Sequence, residues 1–408
     1  MLKSKYPIVV FCVLSALYFF SIIHRVGIAV IAVNLMQEFG TDASLLGLMS
    51  SMYFWPYAIA QIPVGIMLDR IGIRKTVTIL SFIAVIGSFL FSAAPNVLML
   101  GAGRALVGFG VGGFYVSSLK AIAVWFSPKR FATLTGVLTS IGNIGGLIAT
   151  SPLAIFALMI GWRDAFIVIS FFMFLFTIVA WFVIKGEEGD QFKSQGSIGR
   201  DLRKVFSTRA FLKLTLVPVF VYGFFISFQG LWGGLFLHDV YGMASAGAAS
   251  FLVFIALGFM LVGPLAGFLS DRIGKRKPVL TAGILLSIIF WLIMAFAGSS
   301  LGPVELAVMM FLLGTSFALC NLYMTVAKEL FGKSICGLGI ASYNTFAFIG
   351  AGFFQFFMGF MLDATYGGTR VFAAYQLIFA LGVVLLAVSL LAAVLSKETF
   401  NSEPACPG

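Results

Sequence analysis

VGIMLDRIGIRKTV, residues Val64–Val77, and AGFLSDRIGKRKPV, residues Ala266–Val279, are two copies of one segment. They match at eight of fourteen positions at an offset of 202, about half of the 408-residue chain. A sequence that repeats itself at half its length reads as a duplication of one structural unit. In both copies a glycine, an Asp-Arg pair, a second glycine and an Arg-Lys pair stand between apolar runs, so each copy reads as a short charged loop joining two helices. A second echo is Gly161-Trp162-Arg163 and Gly368-Thr369-Arg370, each placed just before a long apolar run.

Outward from these loops the chain is 61% hydrophobic and only 10% charged, with mean hydropathy +1.07. A soluble domain carries roughly a quarter charged residues, so a soluble globule is excluded. Runs such as Ile8 to Phe20 lack the alternation that a membrane-spanning strand needs, which excludes an outer-membrane barrel. Breaking the hydropathy at charges and Gly/Pro clusters leaves twelve apolar runs in two sets of six, each long enough to cross a bilayer as a helix. The expected fold is an all-α polytopic membrane protein of twelve transmembrane helices. Its parts are an N-terminal half 1–184, a central loop 185–210, a C-terminal half 211–396 and a tail 397–408. The N-terminal run continues to about Phe39 without a small-residue cleavage site and reads as an uncleaved first span.

The net charge of +11 invites a nucleic-acid reading, but its distribution argues otherwise. With the N-terminus inside, the inner segments hold twenty-one Lys and Arg, and the outer loops hold only Arg163 and Arg370. That asymmetry predicts both termini cytoplasmic in an inner (plasma) membrane and accounts for the charge without nucleic acid. Cysteines at 12, 320, 336 and 406 show neither a disulfide framework nor metal-ligand spacing, and no metal or cofactor is expected.

The loop Gly65-x-x-x-Asp69-Arg70-x-Gly72-x-Arg74-Lys75, repeated as Gly267-x-x-x-Asp271-Arg272-x-Gly274-x-Arg276-Lys277, resembles the signature of the major facilitator superfamily. The resemblance covers the whole chain and implies two six-helix halves rocking about a central site. It also implies that the two loops help to hold the cytoplasmic side shut. Physically, Gly65 would let another helix approach closely, Asp69 would accept from backbone donors at a helix N-terminus, and the cations would pair with carboxylates. The simpler reading, topology anchoring, applies to the individual cations but not to Asp69 or Asp271.

Three basic residues fall inside spans: Arg25, Arg104 and Lys120. Leu100-x-x-x-Arg104-x-x-x-Gly108-x-Gly110 is similar to a second pattern of the same family, and helical spacing puts Tyr115 on the face of Arg104. Lys120, near the cytoplasmic end, is expected to snorkel. Arg25 lies about 27 Å along its helix from Pro7 at 1.5 Å per residue, too deep to snorkel, with Tyr18 and Ser21 at helical spacing before it. A structural arginine held by neighbouring carbonyls is the competing reading. No Asp or Glu lies deep in any span, so the interior is electropositive and suits an anionic ligand. His24 is the one intramembrane group that titrates near neutral pH and hence the proton-coupling candidate, although a lone histidine on an apolar helix is more often structural. In the second half Gln229 and Trp232 of span seven, Asn321 of span ten, and Tyr343 and Asn344 of span eleven are candidates for neutral hydrogen bonds to the same ligand.

The sequence therefore predicts a monomeric secondary carrier for a small organic anion such as a carboxylate or an amino acid, with a proton as the coupling ion. It lacks the nucleophile, base or metal cluster of an enzyme. An exporter of a drug or siderophore, and a non-transporting receptor on the same fold, are the alternatives.

Overall fold

The computed structural model of the protein describes residues 2–127, 130–185, 198–331, 336–365 and 371–400. Lys129, Lys193, Lys333 and the Gly368-Thr369-Arg370 echo lie outside the described residues, as does the tail from Asn401 onward. The described residues are helical with no β-sheet, and ten helices are long and apolar enough to cross a membrane. An eleventh span is the bent pair Thr133–Ile148 and Ser151–Ile160, whose axes differ by 44°. The remaining run, span two, is broken at Met52 and Tyr53 into Ala43–Ser51 and Phe54–Arg70, each too short to cross alone.

The chain divides into two compact units, Met1–Thr41 with Leu48–Ser194, and Asp42–Gly47 with Gln195–Gly408. In the first unit, spans three and four run backbone against backbone. A Cβ on Gly103 would lie 2.6 Å from the amide nitrogen of Phe91, and one on Gly110 2.5 Å from that of Ala84. Apolar side chains gain nothing from leaving water here, so helices associate through such close packing of small residues. Span four also meets span two, where a Cβ on Gly108 would lie 2.0 Å from the carbonyl oxygen of Tyr53. The second unit repeats that crossing between spans ten and eight: a Cβ on Gly314 would lie 2.0 Å from the carbonyl oxygen of Ile255. Tyr53 and Ile255 are again 202 residues apart, so the duplication visible in the loops extends to the helix crossings.

Several spans are discontinuous. Span one breaks at Gly27 between Leu2–Val26 and Ile28–Phe39, and span four breaks at Gly112 and Gly113 between Val97–Val111 and Phe114–Trp125. Span ten breaks at Asn321 and Leu322, and span seven contains π-helical stretches at Pro218–Tyr222 and Phe228–Trp232. Interruptions of this kind free backbone groups inside the membrane and are tolerated only where protein or a water-filled cavity satisfies them. Large side chains such as Ile59, Phe182 and Phe296 are exposed on the outside at 65%, 77% and 79%, as expected of a surface that faces lipid.

Candidate functional site

Arg104 reaches the end of the helix Leu2–Val26, next to the break in span one. Arg104 is 1% exposed; its Nη1 donates to the carbonyl oxygen of His24 at 2.7 Å, and its guanidinium lies over the Tyr53 ring, 4.6 Å from the centroid. Its Nε and Nη2 have no hydrogen-bond partner among the described residues. Arg104, a candidate for contact with the anionic ligand, sits in the packing between spans one, two and four, and its partner His24 is one residue from Arg25. Arg25 itself is half-buried, as is Tyr18, which meets Tyr115 of span four with ring centroids 5.2 Å apart. Tyr18 lies over span five, where a Cβ on Gly142 would come within 2.5 Å of its ring.

Ser21 departs from the expected face. It is 2% exposed, and its carbonyl accepts a hydrogen bond from the Tyr53 hydroxyl at 3.3 Å. His24 is also inside the unit, with its Nε2 3.2 Å from the Ser88 hydroxyl, which in turn lies 2.5 Å from the Ser170 hydroxyl. This chain of polar groups joins spans one, three and six. The serines carry no helical-spacing signal of their own, and only the fold brings them together.

In the second unit Gln229, Asn321 and Asn344 are half-buried, whereas Trp232 and Tyr343 are buried. The Trp232 indole donates to the carbonyl of Gln355 at 3.0 Å. Tyr343 donates to the carbonyl of Phe211 at 3.2 Å with the two rings 4.6 Å apart, so its hydroxyl serves packing between spans eleven and seven. Gln355 and Gln61 are buried amides that sequence spacing did not single out. Gln61 donates to the carbonyls of Tyr57 and Gly112 at 3.2 and 3.0 Å and thereby satisfies backbone freed at the break in span four.

The two signature loops are built differently. Gly72 and Gly274 have φ of +76° and +67°, a left-handed turn that only glycine enters without cost. The expected close approach at Gly65 and Gly267 is absent: a Cβ at either would meet nothing within 4 Å among the described residues. Asp69 does not cap a helix either. It forms an ion pair of 2.7 Å with Lys120, whose ammonium also donates to the carbonyl of Leu68 at 2.6 Å, so Lys120 is held in the protein instead of snorkelling. Arg74 donates to the carbonyl of Trp181 at 2.9 Å and stacks on its ring at 4.1 Å. Arg70 and Arg272 are exposed.

In the second copy Arg276 lies between two carboxylates, 2.5 Å from Asp271 and 2.9 Å from Glu329, and stacks on Phe400 at 4.7 Å. The carboxylate that caps a helix here is Glu398, which accepts from the backbone N–H groups of Arg276 and Lys277 at 2.8 and 3.1 Å. Burial pushes the Glu398 carboxyl up, but the N–H groups of Arg276, Phe400, Lys277 and Thr399 outweigh it and leave the group below its usual pKa of 4.5. At the opposite end of the second unit Asp363 does the same for span two, accepting from Ala43 and Ser44 at 3.1 and 2.6 Å. The Gly161-Trp162-Arg163 echo also has a physical basis, since Trp162 and Arg163 both hold Glu38 at 2.7 Å.

Paired discontinuous helices, buried cations and a duplicated charged loop define a membrane transporter of two repeated halves. The family model described as "Major Facilitator Superfamily" matches residues 14–354, and the chain belongs to that superfamily. It is a multi-pass membrane transporter and not an enzyme. It is similar to the "Probable sulfoacetate transporter SauU" of Cupriavidus necator, 28% identical over 79% of this chain and 80% of that one. It is also similar to the "Hexuronate transporter" of Bacillus subtilis, 26% identical over 67% and 66%. The solved structure of a D-xylose-proton symporter shares its fold, with TM-score 0.82 at 15% identity over 98% of this chain and 100% of that one.

Proposed function

We propose that this protein is a secondary carrier for a small organic anion, taken up across the plasma membrane with a proton by alternating access, and that both termini are cytoplasmic. The observation that carries the reading is the pair Arg25 and Arg104, linked through the His24 carbonyl at the break of span one, in a half with no Asp or Glu deep in its spans. Cationic charge at membrane depth is costly and is kept for a function. Two relatives point the same way, since sulfoacetate and hexuronate are both carboxylate-bearing anions. Arg25, half-buried like Tyr18 two helical turns before it, is the residue assigned to the substrate's charged group. Arg104 is a positioning residue that fixes the turn carrying Arg25. Gln229, Asn321 and Asn344 supply neutral hydrogen bonds, while Ser21, Trp232 and Tyr343 hold the helices that present them. The paired loops around Asp69 and Asp271 act as latches, and His24, in its polar chain with Ser88 and Ser170, is the candidate group for the coupling proton.

The test is binding of candidate carboxylates and sulfonates to the purified carrier, followed by uptake into proteoliposomes. Arg25→Gln and Arg25→Lys should both weaken binding at least about tenfold, because lysine keeps the charge but not the planar fork that grips a carboxylate through two hydrogen bonds. A transported solute that is neutral or cationic, or unchanged affinity in a folded Arg25→Gln protein, would end this reading.

A further inference from the structure

A second cluster of cations lies far along the chain from Arg25 and Arg104. At the start of span seven and the end of span twelve the second unit carries an open cavity of about 930 Å³, whose wall bears Arg203, Lys204, Arg209, Lys213 and Lys397. Among the described residues no acidic side chain lines it, and none of these five cations has a carboxylate within 4.0 Å. The nearby hydroxyls are engaged with backbone: Ser207 donates to the carbonyl of Arg203 at 2.5 Å, and Thr208 to that of Lys204 at 2.9 Å. Five exposed positive charges around one cavity, with no carboxylate partner among the described residues, repel one another, and an anion with several oxygens would relieve that repulsion.

The cavity is fixed by the fold. The helix Ile198–Ser207 buries Val205 and turns Arg203 and Lys204 to the cavity, while the Ser389 hydroxyl of span twelve donates to the carbonyl of Leu216 in span seven at 3.2 Å. Ser396 is part of the wall, and its carbonyl accepts from the Lys277 ammonium at 3.1 Å, so the cavity opens at the end of the unit that holds the second signature loop. Apolar groups lie beside it: Leu395 on the wall is 62% exposed, and Leu212 and Phe206, off the wall but next in sequence to Lys213 and Ser207, are 49% and 41% exposed. Exposed cations beside exposed apolar groups match a ligand with a phosphate head and hydrocarbon tails.

We infer that this cavity is a binding site for the headgroup of an anionic phospholipid of the adjoining leaflet. The basic pocket takes the phosphate, while Leu395, Leu212 and Phe206 lie along the acyl chains. A soluble phosphate compound shares the headgroup chemistry but has no use for the apolar rim. The site does not depend on the identity of the transported solute.

The test uses the full-length protein in nanodiscs with and without phosphatidylglycerol, and native mass spectrometry after release to count retained lipids. Wild-type protein should retain phosphatidylglycerol over phosphatidylcholine. In R209Q/K397Q that preference should fall at least about tenfold, given the roughly 1 kcal/mol that each basic residue contributes at an anionic surface. K275Q/K328Q, which removes two exposed cations outside the cavity, should keep it. Equal retention of the two lipids by wild type overturns the proposal without any variant, as does an equal loss in both double variants. The proposal is also overturned if inorganic phosphate or glycerol phosphate displaces the retained lipid and stabilises the detergent-purified protein as well as phosphatidylglycerol does, because the occupant is then a soluble anion.

Discussion

Arg74 and Arg276 occupy the same place in the two signature loops, yet their removal should have unequal effects. The Arg276 side chain is 11% exposed and is held by Glu329, itself 22% exposed, by Asp271 at 66%, by the Ser270 hydroxyl at 3.1 Å and by the Phe400 ring. A charge-assisted bond in a largely buried place contributes about 2 kcal/mol, the solvent-screened bond to Asp271 less than about 1, and stacking about 0.5. Arg276→Gln should therefore destabilise the docking of the tail by about 3 kcal/mol. Arg74 has one bond to a neutral carbonyl and one stacked ring, so Arg74→Gln should cost about 1 kcal/mol. Since 1.4 kcal/mol is a factor of ten, the first variant should speed hydrogen exchange by roughly a hundredfold in peptides covering residues 271–280 and 395–400. The second should speed exchange around its own loop by only about fivefold. Mass spectrometry of the reconstituted protein reads both. Unchanged exchange at Lys277, Thr399 and Phe400 in Arg276→Gln, or equal acceleration by the two variants, would refute the role assigned to this cluster.

The Glu398 cap adds a pH dependence. Its carboxyl is held below 4.5 in the folded protein, so its contribution is fully present above the unfolded value and is lost as pH falls through the folded one. The difference in melting temperature between wild type and Glu398→Gln should shrink on acidification below about 4.5; a difference that ignores pH counts against the cap. At φ of +76°, Gly72→Ala should lower stability by about 1–2 kcal/mol, whereas Gly65→Ala, with empty space around it, should be close to neutral; thermal unfolding compares them. Asp69→Asn loses its ion pair with Lys120 and should slow transport at near-normal abundance, with Asp271→Asn milder; normal flux in Asp69→Asn removes the latch. Cysteines placed at 96 and 163 should react with an external reagent in sealed cells and those at 74 and 276 should not; reaction at 276 would invert the topology.

The fold was legible in the sequence because its signals are local and repeated. Apolar runs of membrane length, the 202-residue echo and the clustering of cations each depend on residues near one another in the chain. Bilayer physics then leaves helices as the one structure that such runs can form. Gly72 and Gly274 were legible for the same reason, since a left-handed turn is a property of single residues.

Tertiary structure decided what helical spacing could not. The spacing that put Tyr18, Ser21 and Arg25 on one face assumes a straight helix against one neighbour, but Ser21 is taken inward by Tyr53 while Arg25 stands at the break beside Gly27. In span seven, where Tyr222, Phe225, Gln229, Trp232 and Phe236 stand at helical spacing, two π-helical stretches each shift the register, and only Gln229 of the five is left half-exposed. Asp69 and Lys120 stand 51 residues apart, and Arg276 and Glu329 stand 53 apart. No periodicity links such pairs. They exist because close-packed glycines set where spans two, four, eight and ten cross, and that packing is a property of surfaces brought together by folding.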